Sequence, residues 1–270
     1  CGLCYAEFAS LVPISGSAYT YSYATLGELV AWIIGWDLII EYAVGDVAVA
    51  ISWGNYFKTF IGGFGLLVPD WLSTDYRTAA HIPGLFESAP HLFGVPIVFN
   101  ILAFGIVALI TIVLVIGVRE SASVNAVMVS LKLAVLAVFV LVGWRYTKPE
   151  NYTPFAPNGW AGVQAGAAIV FFAYIGFDAV STVAEEVRNP KRDLPIGIIA
   201  SLIICTAIYI VVALVFVGII PYDVLVKKLA TEQAEPLTMA LQHAEIQRWG
   251  NVLVGLVAFA SVVAHTAVLL

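Results

Sequence analysis

Phe171-Phe172-Ala173-Tyr174-Ile175-Gly176-Phe177-Asp178 lies inside an apolar run, residues 161–185, that is long enough to cross a bilayer as a helix. Glycine between aromatic residues, with a carboxylate two positions on, is a poor composition for a plain span. An ionisable side chain at membrane depth costs at least about 2.5 kcal/mol. Two readings account for the stretch. Gly176 is a packing glycine against a neighbouring helix, or the helix is broken there and its freed carbonyls and amides line a cavity.

The rest of the chain has the same character. Of 270 residues, 61% are hydrophobic and 11% charged, against about 25% charged in ordinary soluble domains. Too few polar residues remain to coat a soluble surface. Seven stretches reach the roughly 20 residues that a transmembrane helix needs, at 1–23, 29–57, 95–117, 123–146, 161–185, 194–220 and 249–270. The expected fold class is all-α and integral to a membrane. The chain opens at Cys1 without a targeting peptide and closes on Val268-Leu269-Leu270, both in apolar sequence. The expectation is a piece of a longer membrane protein.

Net charge is −6, and the 12 Lys and Arg residues are scattered. Without a basic stripe, nucleic acid is not an expected partner. Cys1, Cys4 and Cys205 form neither a disulfide framework nor a zinc set. His81, His91 and His243 have no ligand spacing, and His265 reads as a packing residue. No metal or cofactor is expected. The loop 58–94 has no cysteine, so a disulfide-linked glycoprotein partner is not expected either.

Spans alternate sides, which puts the short loops 24–28, 118–122 and 186–193 on one face. Arg119, Arg188, Lys191 and Arg192 lie there, so 186–193 is placed in the cytoplasm and 58–94 and 147–160 outside. Asn151-Tyr152-Thr153 is a formal glycosylation acceptor on that outer side.

Pro13 with Ser15-Gly16-Ser17 predicts a kink or close helix contact in the first stretch. Lys132 sits near the middle of the fourth, with Asn125 and Ser121 seven and eleven residues before it on nearly the same face. Burial favours the neutral amine, so a lysine at that depth can exchange a proton; a fixed structural cation is the plainer reading. Asp37 and Glu41 share a helix face and either pair with Lys132 or line an aqueous path, whereas Asp46 is about 180° around from Asp37. Glu7 reads as a helix-packing residue.

A broken helix at Gly176 would offer carbonyls to an ammonium group and a half-helix N-terminus to a carboxylate. That pair recognises a zwitterionic amino acid. Phe172 and Phe177 are then candidate gates on its two sides.

At these residues the sequence resembles the cationic amino acid transporter family of the amino acid–polyamine–organocation superfamily. The resemblance rests on four stretches: Cys4-Tyr5-Ala6-Glu7-Phe8 with Gly16 to Tyr21; Trp36-Asp37-Leu38; Arg119-Glu120-Ser121 with Asn125 and Lys132; and Phe172 through Glu185-Glu186-Val187-Arg188-Asn189-Pro190 to Arg192-Asp193-Leu194-Pro195. It implies a part of a fold with two inverted five-helix repeats, covering that family's second to eighth helices. It implies substrate contacts at Phe172, Ala173, Ile175 and Gly176, with Asp178 near the cavity. Lys132 matches a lysine that stands in for sodium in proton-coupled relatives. The implied function is secondary transport of amino acids by alternating access, proton-coupled and sodium-independent, in a plasma or bacterial inner membrane. A non-transporting sensor on the same scaffold is the alternative. A membrane-embedded enzyme is disfavoured, since the spans carry no catalytic signature.

Overall fold

A computed structural model describes residues 1–117, 122–231, 235–244, 246 and 250–269. Ser121 lies outside the described residues, as does the side chain of Asn125. Four described helices are long and apolar enough to cross a membrane: Ala126–Tyr146, Gly159–Val183, Pro190–Ile219 and Gly250–Leu269. The Glu28–Gly62 helix is longer still, at 35 residues, but carries Glu28, Asp37, Glu41 and Asp46. Ile101–Ile116 is a shorter apolar helix. The only strands among the described residues are a small hairpin, His91–Leu92 with Val95–Pro96. The chain divides into two compact units, residues 1–45 with 155–211 and residues 46–154 with 212–270.

In the first unit the chain breaks where Pro13 led to expect it. Pro has no N–H to donate and disfavours helical geometry at the preceding residue. The Gly2–Leu11 helix ends at Val12 with φ −124° and ψ 75°, and helix resumes at Ser17–Leu26. Between them Gly16 takes φ 127°, and a Cβ there would lie 2.0 Å from the Thr20 hydroxyl oxygen. Conformation and space both require glycine. Ala9, Tyr21, Ala184, Leu194 and Ile198 form the core of this unit, with Tyr5, Phe8 and Phe177 packed on it.

The second unit is centred on Phe139, Val215, Leu241 and Val257. The Gly250–Leu269 helix lies along both Ala122–Gly143 and Pro236–His243. Gly143 permits a close approach, because a Cβ there would sit 2.6 Å from Val215. His265 is satisfied as a packing residue: its Nδ1–H donates to the Ser261 carbonyl at 2.6 Å, and Tyr56 lies 5.5 Å from its ring. The Asn151 amide of the formal glycosylation tripeptide donates to the Gly218 carbonyl at 2.7 Å. Its nitrogen is therefore committed to a packing contact.

Glu235 joins two parts of this unit outside the spans. Its carboxylate accepts from Thr59 at 2.6 Å and from Thr238 at 2.9 Å. Burial pushes this carboxyl above the usual Glu range, and the two hydroxyls with Lys58 only partly offset it. An acid with a raised folded-state pKa gives its full stabilisation below the unfolded value and loses it as pH rises through the folded value. Glu235→Gln keeps an acceptor for the hydroxyls and removes the ionisation. The variant is expected to melt above the wild type at pH 7.5, and the gap should close towards pH 4.5. A pH-independent difference would refute the role of ionisation.

Candidate functional site

The 161–185 stretch is a broken helix. Helix Gly159–Val170 runs into a 3-10 turn, Phe171–Tyr174. Ile175 then leaves helical geometry at φ −54° and ψ 134°, and Gly176 is left-handed at φ 95° and ψ −3°. The chain resumes as a 3-10 segment, Phe177–Val183. A Cβ on Gly176 would meet nothing within 4 Å, so conformation and not crowding selects glycine here.

Hydroxyl groups hold both sides of the break. Tyr209 donates to the Ala173 carbonyl at 2.9 Å. Thr206 gives its own proton to the Leu202 carbonyl, so Tyr174 is the donor in its 2.8 Å bond to Thr206. Tyr174 and Tyr209 also meet edge to face, with centroids 5.4 Å apart. On the far side, Asp178 is only 4% exposed. One carboxylate oxygen accepts from Ser17 at 2.7 Å and the other from Tyr42 at 2.9 Å. Three separate helical elements are thereby tied at one carboxylate.

A cleft of about 230 Å³ opens at the break, lined by Ala173, Ile175, Gly176, Ser201, Cys205 and Tyr209 among others. Ala173, Ile175 and Gly176 thus line one cleft. Phe177 lines the same cleft and packs edge-on against Tyr5, with centroids 5.0 Å apart. Phe172 is 43% exposed and is not among the residues lining the cleft. Asp178 also lies off its wall, occupied by Ser17 and Tyr42. An apolar interior leaves a carboxylate to take whatever hydroxyl donors pack beside it.

Glu7 and Asp37 are exposed, and Glu41 is half-buried next to Tyr42. In the other unit Lys132 is exposed on its helix and makes no ion pair among that unit's described residues. Sequence reading passed over Ser17, Tyr42, Tyr174 and Tyr209 as donors. The available signal was a hydroxyl inside an otherwise apolar run, and for Tyr42 its place beside Glu41. Among the described residues no group of His, Cys, Asp and Glu is arranged to hold a metal.

Four helices long and apolar enough to cross a membrane, one of them interrupted, mark a multi-pass integral membrane protein. The chain belongs to the amino acid permease family, whose family model matches residues 1–269. It is 46% identical over 268 residues to the branched-chain amino acid permease BcaP of Bacillus subtilis, covering 99% of this chain and 53% of that protein. It is 42% identical over 267 residues to the methylthioribose transporter of the same organism, covering 99% and 52%. Cationic amino acid transporter 9, chloroplastic, of Arabidopsis thaliana is 40% identical over 227 residues, covering 83% and 37%. The chain spans about half the length of the two bacterial relatives. All three are named as permeases or transporters, which sets aside the membrane-enzyme reading.

Proposed function

We propose that this chain is part of a secondary transporter for amino acids, working by alternating access, proton-coupled and independent of sodium. The observation that carries the reading is the helix opened at Ile175–Gly176 beside a cleft. A backbone carbonyl out of helical register is an acceptor without an intrahelical partner, suited to a substrate ammonium. The Ile175 carbonyl fills that role, helped by Ala173, whose oxygen keeps one lone pair beyond its bond from Tyr209. Phe172 and Phe177 act as gates. Asp178 contributes from behind the cleft by holding the Phe177–Val183 segment in place. Lys132 carries the coupling proton, and Glu7, Asp37, Glu41 and Asn125 form polar steps in the helices. The substrates are amino acids, and the membrane is a plasma or bacterial inner membrane.

The test is uptake of radiolabelled alanine and arginine into proteoliposomes holding the full-length protein, with and without an inward proton gradient. Gradient-driven uptake that falls at least about tenfold in Lys132→Met is the expected result, equivalent to 1.4 kcal/mol or more on the barrier. Uptake indifferent to the gradient and to the substitution would make Lys132 a structural cation. Substrate binding without uptake would favour the sensor.

A further inference from the structure

A second concave site lies away from the broken helix, at the turn between the Ser17–Leu26 and Glu28–Gly62 helices. Tyr19, Tyr23, Glu28, Leu29 and Trp32 line a pocket of about 490 Å³. The two tyrosine rings lie 6.4 Å apart at an interplanar angle of 30°. Trp32 is 61% exposed, and Trp36 meets it edge to face at 6.4 Å. The Tyr23 hydroxyl donates to one oxygen of Glu28 at a long 3.3 Å. The second Glu28 oxygen accepts no hydrogen bond among the described residues of this unit, and no described Lys or Arg of this unit pairs with it.

The sequence around the pocket sharpens its preference. Residues 1–57 contain Glu7, Glu28, Asp37, Glu41 and Asp46 but no Lys or Arg. Three electron-rich aromatic side chains, and a carboxylate with no described ion partner in this unit, line one cavity. Ring faces attract cations, most strongly Trp, and bind alkylammonium groups by desolvating them against the π-surface. A small inorganic cation is strongly hydrated and would find only one carboxylate to replace its water. An anion would be repelled, and a neutral apolar ligand would leave Glu28 without a counter-charge.

We propose that this pocket is a binding site for an organic ammonium group, held between Tyr19, Tyr23 and Trp32 with Glu28 as counter-ion. The group is borne by a lipid headgroup or by a free alkylammonium ion. The site is separate from the cleft at Gly176 and does not depend on the transport reading.

The experiment places the full-length protein in nanodiscs of mixed phosphatidylethanolamine and phosphatidylglycerol and counts retained lipids by native mass spectrometry. Tetramethylammonium chloride is titrated in parallel, with tryptophan fluorescence as readout. The variants are Glu28→Gln, Trp32→Leu and, to keep the ring while releasing the carboxylate, Tyr23→Phe. All three lie at exposed positions, and gel filtration checks their folding.

Selective retention of phosphatidylethanolamine, displaced by tetramethylammonium and weakened about 5- to 30-fold in Glu28→Gln and Trp32→Leu, is expected for a lipid headgroup. Tyr23→Phe should bind as well as wild type or better. Tetramethylammonium binding with the same variant pattern but no lipid preference assigns the site to a free ammonium ion. Wild-type protein that binds neither probe overturns the proposal, as do folded Glu28→Gln and Trp32→Leu variants that bind like wild type.

Discussion

Asp178→Ala is expected to lower the stability of the first unit by about 1–3 kcal/mol, since a typical intramolecular hydrogen bond contributes roughly 0.5–1.5 kcal/mol and two are lost. The substitution removes the acceptor of two hydroxyls at once, those of Ser17 and Tyr42. Ser17 is itself 4% exposed, so its hydroxyl cannot turn to water instead. Asp178→Asn should cost less, because the amide keeps one acceptor oxygen and its NH2 can donate to the other hydroxyl. Ser17→Ala and Tyr42→Phe each remove one donor and should fall between wild type and Asp178→Ala. The melting midpoints of the four variants, read by fluorescence-detected gel filtration, give the ordering. Asp178→Ala melting with wild type would show that the tie is not a source of stability.

Gly176→Val should abolish uptake, by at least about 100-fold, while the protein still inserts and purifies. A β-branched residue at positive φ is a steric outlier, and here the backbone stands at φ 95°. The chain relieves the clash by shifting the break, which moves the Ile175 carbonyl away from the cleft. Gly176→Asn should keep part of the activity, because Asn tolerates left-handed geometry better than other side chains. Gly166 serves as control: it lies in the regular helix before the break, and a Cβ there meets nothing within 4 Å. Gly166→Ala should transport as wild type. Equal loss at both positions would show that helix packing, and not the unwound backbone, governs activity.

Much of this arrangement was legible in the residues because its causes are local. Pro13 interrupts its helix through its own backbone chemistry, so a sequence shows that break directly, whereas at Gly176 the residues alone left a packing glycine and a broken helix both open. Apolar runs likewise mark the four described helices that are long and apolar enough to cross a membrane. The Asp178 tie was not legible, because its donors lie 161 and 136 residues away. Nothing near Asp178 says whether it faces a substrate or a hydroxyl. Residues 221–248 hold no apolar run of span length, so nothing local marks them as core. Met239 and Leu241 become buried because Phe139, Val215 and Val257 supply the other half of the core. Glu235 then caps the arrangement through Thr59, a partner from a distant part of the chain.

The long reach of the Asp178 contact also sets a schedule for biosynthesis. Ribosomes add about 5–20 residues per second, so the 136 and 161 residues that separate Tyr42 and Ser17 from their acceptor take roughly 7 to 30 s to appear. Throughout that interval the Ser17 and Tyr42 hydroxyls lack the acceptor that they share in the folded unit. Maturation of this unit is therefore post-insertional: it closes only when Asp178 arrives, and a nascent chain stalled before that residue should be the species that quality-control proteases remove.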